Sequence, residues 1–204
     1  MSKQYINKDF YNKNARSWTD MKTNSFFHEN EFKDFCNYFD NEDSIIDIGC
    51  ASGIHVPLFL GIGRNLKYEG LDISESFIGI AKSRYPHLKF HLADILDELS
   101  LPKTIFDGFW AGAALMHIPD EDWTALLNNI EKLVKKGGVG YMSLPTKRPN
   151  PENENDKRIF SYWDKSKLNL LLEERGWKIL KSSILEDSNR DENIWQGFIV
   201  KLPE

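Results

Sequence analysis

Cysteine is scarce: the 204 residues contain two, Cys36 and Cys50. Neither sits in a metal-ligand spacing and no disulfide framework can be built from them, so no metal site is expected. Long apolar runs are missing as well. None approaches the ~18 residues of a membrane span, and residues 1–10 alternate polar and apolar without the continuous apolar core of a secretory signal. A cytoplasmic protein with no membrane partner is the expectation. Positive charge is in deficit, with 26 Lys and Arg against 31 Asp and Glu for a net charge of −5. A polyanion therefore gains no general attraction, which disfavours nucleic acid as a partner.

What the sequence does contain is enough apolar material, 41% with 13% aromatic, to bury a core in one domain. The chain is organised around Ser44-Ile45-Ile46-Asp47-Ile48-Gly49-Cys50-Ala51-Ser52-Gly53. An apolar run ends in an acid, then in glycines, and a helix-like segment follows from Ile54 to Leu60. This order predicts a buried parallel strand turning tightly into a helix. Gly49 supplies positive φ for the turn, and Gly53 allows close approach of a ligand or helix. Asp72 ends the next apolar run, 19 residues on (72 − 53), where an acid accepts hydrogen bonds from both hydroxyls of a ribose. An adenosine-like ligand is therefore expected. A dinucleotide fingerprint would place glycines at Gly49, Ala51 and Ile54, and two of the three are missing. The Asp47 carboxylate would repel a diphosphate and attract a cation. S-adenosylmethionine, with a sulfonium, an ammonium and no phosphate, fits these residues better than NAD.

With those residues in view, the chain resembles the class I S-adenosylmethionine-dependent methyltransferases of the small, single-domain, small-molecule type, over roughly residues 11–201. The family's first motif, D-x-G-x-G-x-G, appears as Asp47-Ile48-Gly49-Cys50-Ala51-Ser52-Gly53, with Ala51 in place of the middle glycine. The second motif matches Gly70-Leu71-Asp72-Ile73-Ser74 and the third Leu92-Ala93-Asp94-Ile95. The fourth resembles Phe106-Asp107-Gly108-Phe109-Trp110-Ala111, and a post-motif matches residues 133–138. The resemblance implies an α/β, Rossmann-like fold. Its sheet has seven mostly parallel strands ordered 3-2-1-4-5-7-6, the last antiparallel. It also implies methyl transfer to a small-molecule acceptor, with S-adenosylhomocysteine as product. Asp94 would accept from the adenine amino group while the Ile95 amide donates to a ring nitrogen. Cys50, Ile73 and Ala93 fall inside these motifs and are counted with the cofactor site. Ala111, Gly112 and Met116, at and after the fourth strand, would leave space at the switch point. Tyr11 lies in a segment resembling the Y-D-x-x-A-x-x-Y cap of many relatives, and His55 opens the first helix beside the cofactor.

The expected organisation is a single methyltransferase domain over 1–204, with an N-terminal helical cap or lid (1–43) and a Rossmann-like core (44–204) containing a substrate loop (145–163). Ser74 and Asp120 are expected helix caps, and Gly137-Gly138 is expected to end the helix after Asp120. Trp177–Leu185 and Ile194–Leu202 should form an antiparallel hairpin. His117 is the one histidine near the switch point. It reads either as a general base for a hydroxyl or carbon acceptor or as a packing residue. There is no Asn/Asp-Pro-Pro-Tyr sequence of amino-methylating DNA enzymes and no acidic cluster resembling a magnesium site. An NAD-dependent oxidoreductase and a catalytically idle S-adenosylmethionine-binding regulator are the competing readings.

Overall fold

The structure, a computed structural model, describes residues 3–22, 29–147, 157–185 and 195–204. The elements run α1 (Lys3–Lys22), α2 (Glu29–Cys36), β1 (Ser44–Ile48), α3 (Val56–Gly61), β2 (Lys67–Asp72), α4 (Glu75–Arg84), β3 (Lys89–Leu92) and β4 (Phe106–Ala111). They continue with α5 (Trp123–Leu133), β5 (Val134–Pro145), α6 (Lys165–Glu173), β6 (Lys178–Leu185) and β7 (Trp195–Lys201). The strands form one sheet in the order β3-β2-β1-β4-β5-β7-β6. The pairs from β3 through β5 are parallel, and β7 runs antiparallel to both β5 and β6. This is the order the motifs imply.

A parallel sheet is covered on both faces, which is why its central strands read as continuous apolar runs rather than alternations. Successive side chains still point to opposite faces. Phe109 of β4 joins Ile46 and Ile48 on the face covered by α5 and α6, where Leu126, Leu127, Ile130, Leu168 and Leu172 are buried. Trp110 points the other way, onto the face covered by α2, α3 and α4. It stacks on Tyr141 with ring centroids 4.0 Å apart, and Phe32 and Phe35 meet it edge-on at 5.3 and 5.4 Å. Among the described residues before β1, α2 is built into the core through these rings, while α1 lies over the cleft.

Three local expectations change. Asp120 does not cap α5; residues Asp120–Asp122 form a 3-10 turn, the helix begins at Trp123, and the Asp120 carboxylate is 2.6 Å from the Lys167 ammonium. Gly137-Gly138 does not end a helix, because β5 already pairs with β4 at Val134 opposite Phe106. The two glycines lie at a register irregularity between that pair and Gly108–Val139, where Gly137 takes φ +67° and donates to Pro203 O at 2.8 Å. The 145–163 loop starts later than expected, since β5 runs on to Pro145; residues 148–156 fall outside the described set. Its return packs inward, with Trp163 buried and its ring centroid 4.3 Å from that of Trp123. The connection expected over 186–193 also lies outside the described residues. Ser74 does cap α4, its Oγ accepting from Phe77 N at 3.2 Å. Among the described residues no helix is long and apolar enough to cross a membrane.

Gly140 in β5 tests the sheet packing. A Cβ at this position would stand 1.8 Å from the Phe109 ring. Gly140→Ala should therefore destabilise the fold by about 1–3 kcal/mol, seen as a lower urea midpoint at unchanged m-value.

Candidate active site

A cleft of about 1140 Å³, counting its open mouth, lies at the carboxyl ends of the parallel strands, where ligands bind open α/β sheets. Its floor is the turn between β1 and α3. Gly49 holds φ +75°, and a Cβ there would meet the Ala114 methyl at 2.4 Å, so both conformation and space require glycine. Ala51 is held at φ +49°, a left-handed conformation that costs a non-glycine residue roughly 1–2 kcal/mol. Its amide donates to Asp72 Oδ2 at 2.9 Å, which offsets part of that cost.

Asp72 stands on the wall with its second oxygen accepting from Ser74 N at 2.8 Å. Burial pushes its carboxyl up to about 6 from 3.8, the amide hydrogen bonds only partly opposing the desolvation. Ile73, Ala93, Asp94 and Ile95 line the same end of the cleft. One oxygen of Asp94 accepts from Leu96 N at 2.8 Å, so its local turn-forming role is present in the structure. Gly112, His55 and Tyr11 also line the cleft.

Other sequence-singled residues lie behind the wall. Asp47 is fully buried. Its Oδ2 accepts from Tyr68 OH at 2.9 Å and lies 3.2 Å from His55 Nδ1, while Oδ1 has no hydrogen-bond partner among the described residues. Cys50 is enclosed, and burial drives its thiol well above the ordinary range. Gly53 faces Tyr85, whose ring a Cβ would touch at 3.0 Å; a side chain, not a ligand, occupies that space. Ala111 and Met116 belong to the core, and the Met116 carbonyl accepts from Ser161 N at 2.7 Å.

The roof is α1. Asn7 grips the backbone of the returning loop, donating to Ile159 O at 3.0 Å and accepting from Ile159 N at 2.8 Å. Tyr11 OH lies 2.8 Å from His117 Nε2, and the other ring nitrogen, Nδ1, is 3.1 Å from Ile159 O. A carbonyl only accepts, so Nδ1 carries a proton, and in the neutral ring Nε2 is left to accept from the tyrosine. Arg158 donates to Tyr11 OH at 2.9 Å, its guanidinium lying 4.9 and 5.2 Å from the Phe10 and Phe160 ring centroids. Trp18 and Phe77 complete an aromatic wall with Tyr11. Sequence reasoning did not single out Asn7, Phe77 or Arg158 for the site. Asn7 and Arg158 carry no periodic signal, since their roles arise from contacts across more than 140 positions of chain.

Comparison with known proteins gives this geometry a context. Residues 45–138 match the family described as "Methyltransferase domain". The fold aligns over 100% of both chains with magnesium protoporphyrin IX methyltransferase of Synechocystis PCC 6803, at a TM-score of 0.76 and 15% identity. It aligns equally well with the 1,6-didemethyltoxoflavin-N1-methyltransferase of Burkholderia thailandensis, at 0.77 and 12%, over 98% of this chain and 88% of that one. The chain has the class I methyltransferase fold. Among curated proteins it is similar to trans-aconitate 2-methyltransferase of Variovorax paradoxus, 29% identical over 107 residues. That stretch is 52% of this chain and 40% of the relative, so the match spans well under half of the relative's length.

In this methyltransferase fold Asp72 carries a pH signature. Between about pH 4 and 6 the folded protein holds a proton on Asp72 that the unfolded chain has lost. Its contribution to stability is therefore present at low pH and is lost as pH rises through about 6. In full this amounts to about 3 kcal/mol. Urea unfolding should show the wild type gaining about 1 kcal/mol over Asp72→Ala between pH 7 and pH 5.

Proposed function

We propose that the chain is an S-adenosylmethionine-dependent methyltransferase acting on a small-molecule acceptor in the cytoplasm, with S-adenosylhomocysteine as product. The observation that carries this reading is the Asp72 carboxylate. It is anchored by two amides at the cleft wall, and each oxygen keeps a further lone pair for one of two ribose hydroxyls. Asp94 and Ile95 stand beyond it at the end of β3, where an adenine edge would follow the ribose. The Tyr11, Trp18 and Phe77 rings present faces suited to a sulfonium cation. The residues present fit the group.

S-adenosylmethionine supplies an electrophilic methyl on a positively charged sulfur. What the protein adds is position: Asp72 fixes the ribose, Gly49 and Gly112 let their turns pack closely on Ala114 and on His55 and Trp110, and α1 excludes water. Holding acceptor and donor in line accounts for much of such a rate enhancement. A dinucleotide would bring a diphosphate to the β1 turn, where Ala51 replaces a glycine and Asp47 lies behind the floor, so the oxidoreductase reading loses.

Two measurements test the proposal. S-adenosylmethionine and S-adenosylhomocysteine should raise the melting temperature, as ligands of the native state do, and NAD should not; the reverse ranking would overturn the cofactor assignment. Asp72→Ala should weaken S-adenosylhomocysteine binding by 2–4 kcal/mol, or roughly 30- to 1000-fold, the size of lost charge-assisted bonds. Calorimetry finding wild-type affinity in the folded variant would remove Asp72 from the site.

A further inference from the structure

The roof of the cleft contains a hydrogen-bond chain whose direction is fixed at both ends. Arg158 can only donate, and it donates to the Tyr11 oxygen at 2.9 Å. The Ile159 carbonyl can only accept, and it takes the His117 Nδ1 proton at 3.1 Å. With the imidazole neutral, the link between them runs from Tyr11 O–H to His117 Nε2, 2.8 Å away. A phenol held this way faces a neutral imidazole lone pair on one side and a cation on the other. Both influences favour release of the phenolic proton toward His117. Tyr11 and His117 line the cleft, and Asn7 bonds to Ile159 through both its side-chain donor and acceptor, which keeps the chain in register.

We propose that Tyr11 and His117 are a proton-accepting relay, positioned by Arg158, and that the acceptor is a hydroxyl compound. This rests on the methyltransferase reading. As the acceptor oxygen attacks the methyl carbon, its O–H bond breaks and the proton goes to the Tyr11 oxygen, while the Tyr11 proton passes to His117 Nε2. The new O–C bond forms from the acceptor's electron pair, and the C–S pair returns to sulfur. His117 is left as an imidazolium that releases its proton to solvent when the cleft opens. A carboxylate acceptor is already ionised at neutral pH and would leave the relay unused. An amine acceptor attacks from its neutral form and needs no base to become nucleophilic.

The test uses the whole chain, methyl-labelled S-adenosylmethionine and a metabolite extract, with the labelled product identified by mass and by treatment with mild alkali. An alkali-stable methyl ether is expected. Tyr11→Phe and His117→Gln should each slow labelling ~10²–10⁴-fold, the usual range for losing acid–base catalysis, with S-adenosylhomocysteine affinity within a few-fold of wild type. The double variant should be no slower than the worse single, because residues that act as a unit are not additive. Arg158→Met should slow labelling at unchanged S-adenosylhomocysteine affinity, and Arg158→Lys should restore part of the rate. An alkali-labile methyl ester, a methylated amine, or wild-type labelling by Tyr11→Phe would overturn the relay. So would a protein that binds S-adenosylhomocysteine and labels nothing. Failure to bind S-adenosylhomocysteine at all would instead overturn the cofactor reading beneath it.

Discussion

The Asp72 carboxylate, buried at the end of β2, accepts from the amides of Ala51 and Ser74 and so fastens together two turns that are distant in sequence. One is the floor of the cleft; the other starts α4. Burial penalises its charge, and the desolvation shows in a carboxyl raised to about 6. Two amides and a helix start are what keep the ionised form in place near neutral pH. The strained Ala51 backbone persists because this bond holds it. Ser74 extends the network outward, its hydroxyl donating to Asn12 of α1 at 2.7 Å.

The same network explains why α1 and α2 differ although they adjoin in sequence. α2 drives Phe32, Phe35 and Cys36 into the core and cannot leave without exposing them. α1 buries little apolar surface and is held mainly by polar and aromatic contacts, at Asn7, Tyr11, Asn12 and Trp18. Hydrogen bonds of this kind contribute on the order of 1 kcal/mol each, whereas a buried phenylalanine contributes several. α1 is therefore held less tightly than α2, and it is the element that covers the cleft.

The Asp47 carboxylate shows how tertiary placement redirects a charge. Its position before the glycine turn suggests direct attraction of a cation. In the structure Tyr68 and His55 stand around it, and His55, not Asp47, reaches the cleft. The acid acts on the site through the ring it holds. Similarly, Gly137-Gly138 reads as a helix end, yet β5 pairs from Val134 onward and the glycines absorb the resulting irregularity.

The sheet order followed only from the family resemblance, whereas the sequence by itself determined the run of the central strands, the glycine turn, the Ser74 cap and the place of Asp72. Each of these is a local pattern: an apolar run of strand length, a residue free to take positive φ, a hydroxyl three residues before an amide. Periodicity and backbone preference act over a few residues, so they survive being read one window at a time. Only the tertiary structure decided which of the motif residues face the cleft and which stand behind it, because the facing of a side chain is set by the strand beside it. It alone brought Asn7, Tyr11, His117 and Arg158 together. The three hydrogen bonds that join them close loops of more than 100 residues, and no local propensity encodes a hydrogen bond whose two ends meet only after the sheet has formed.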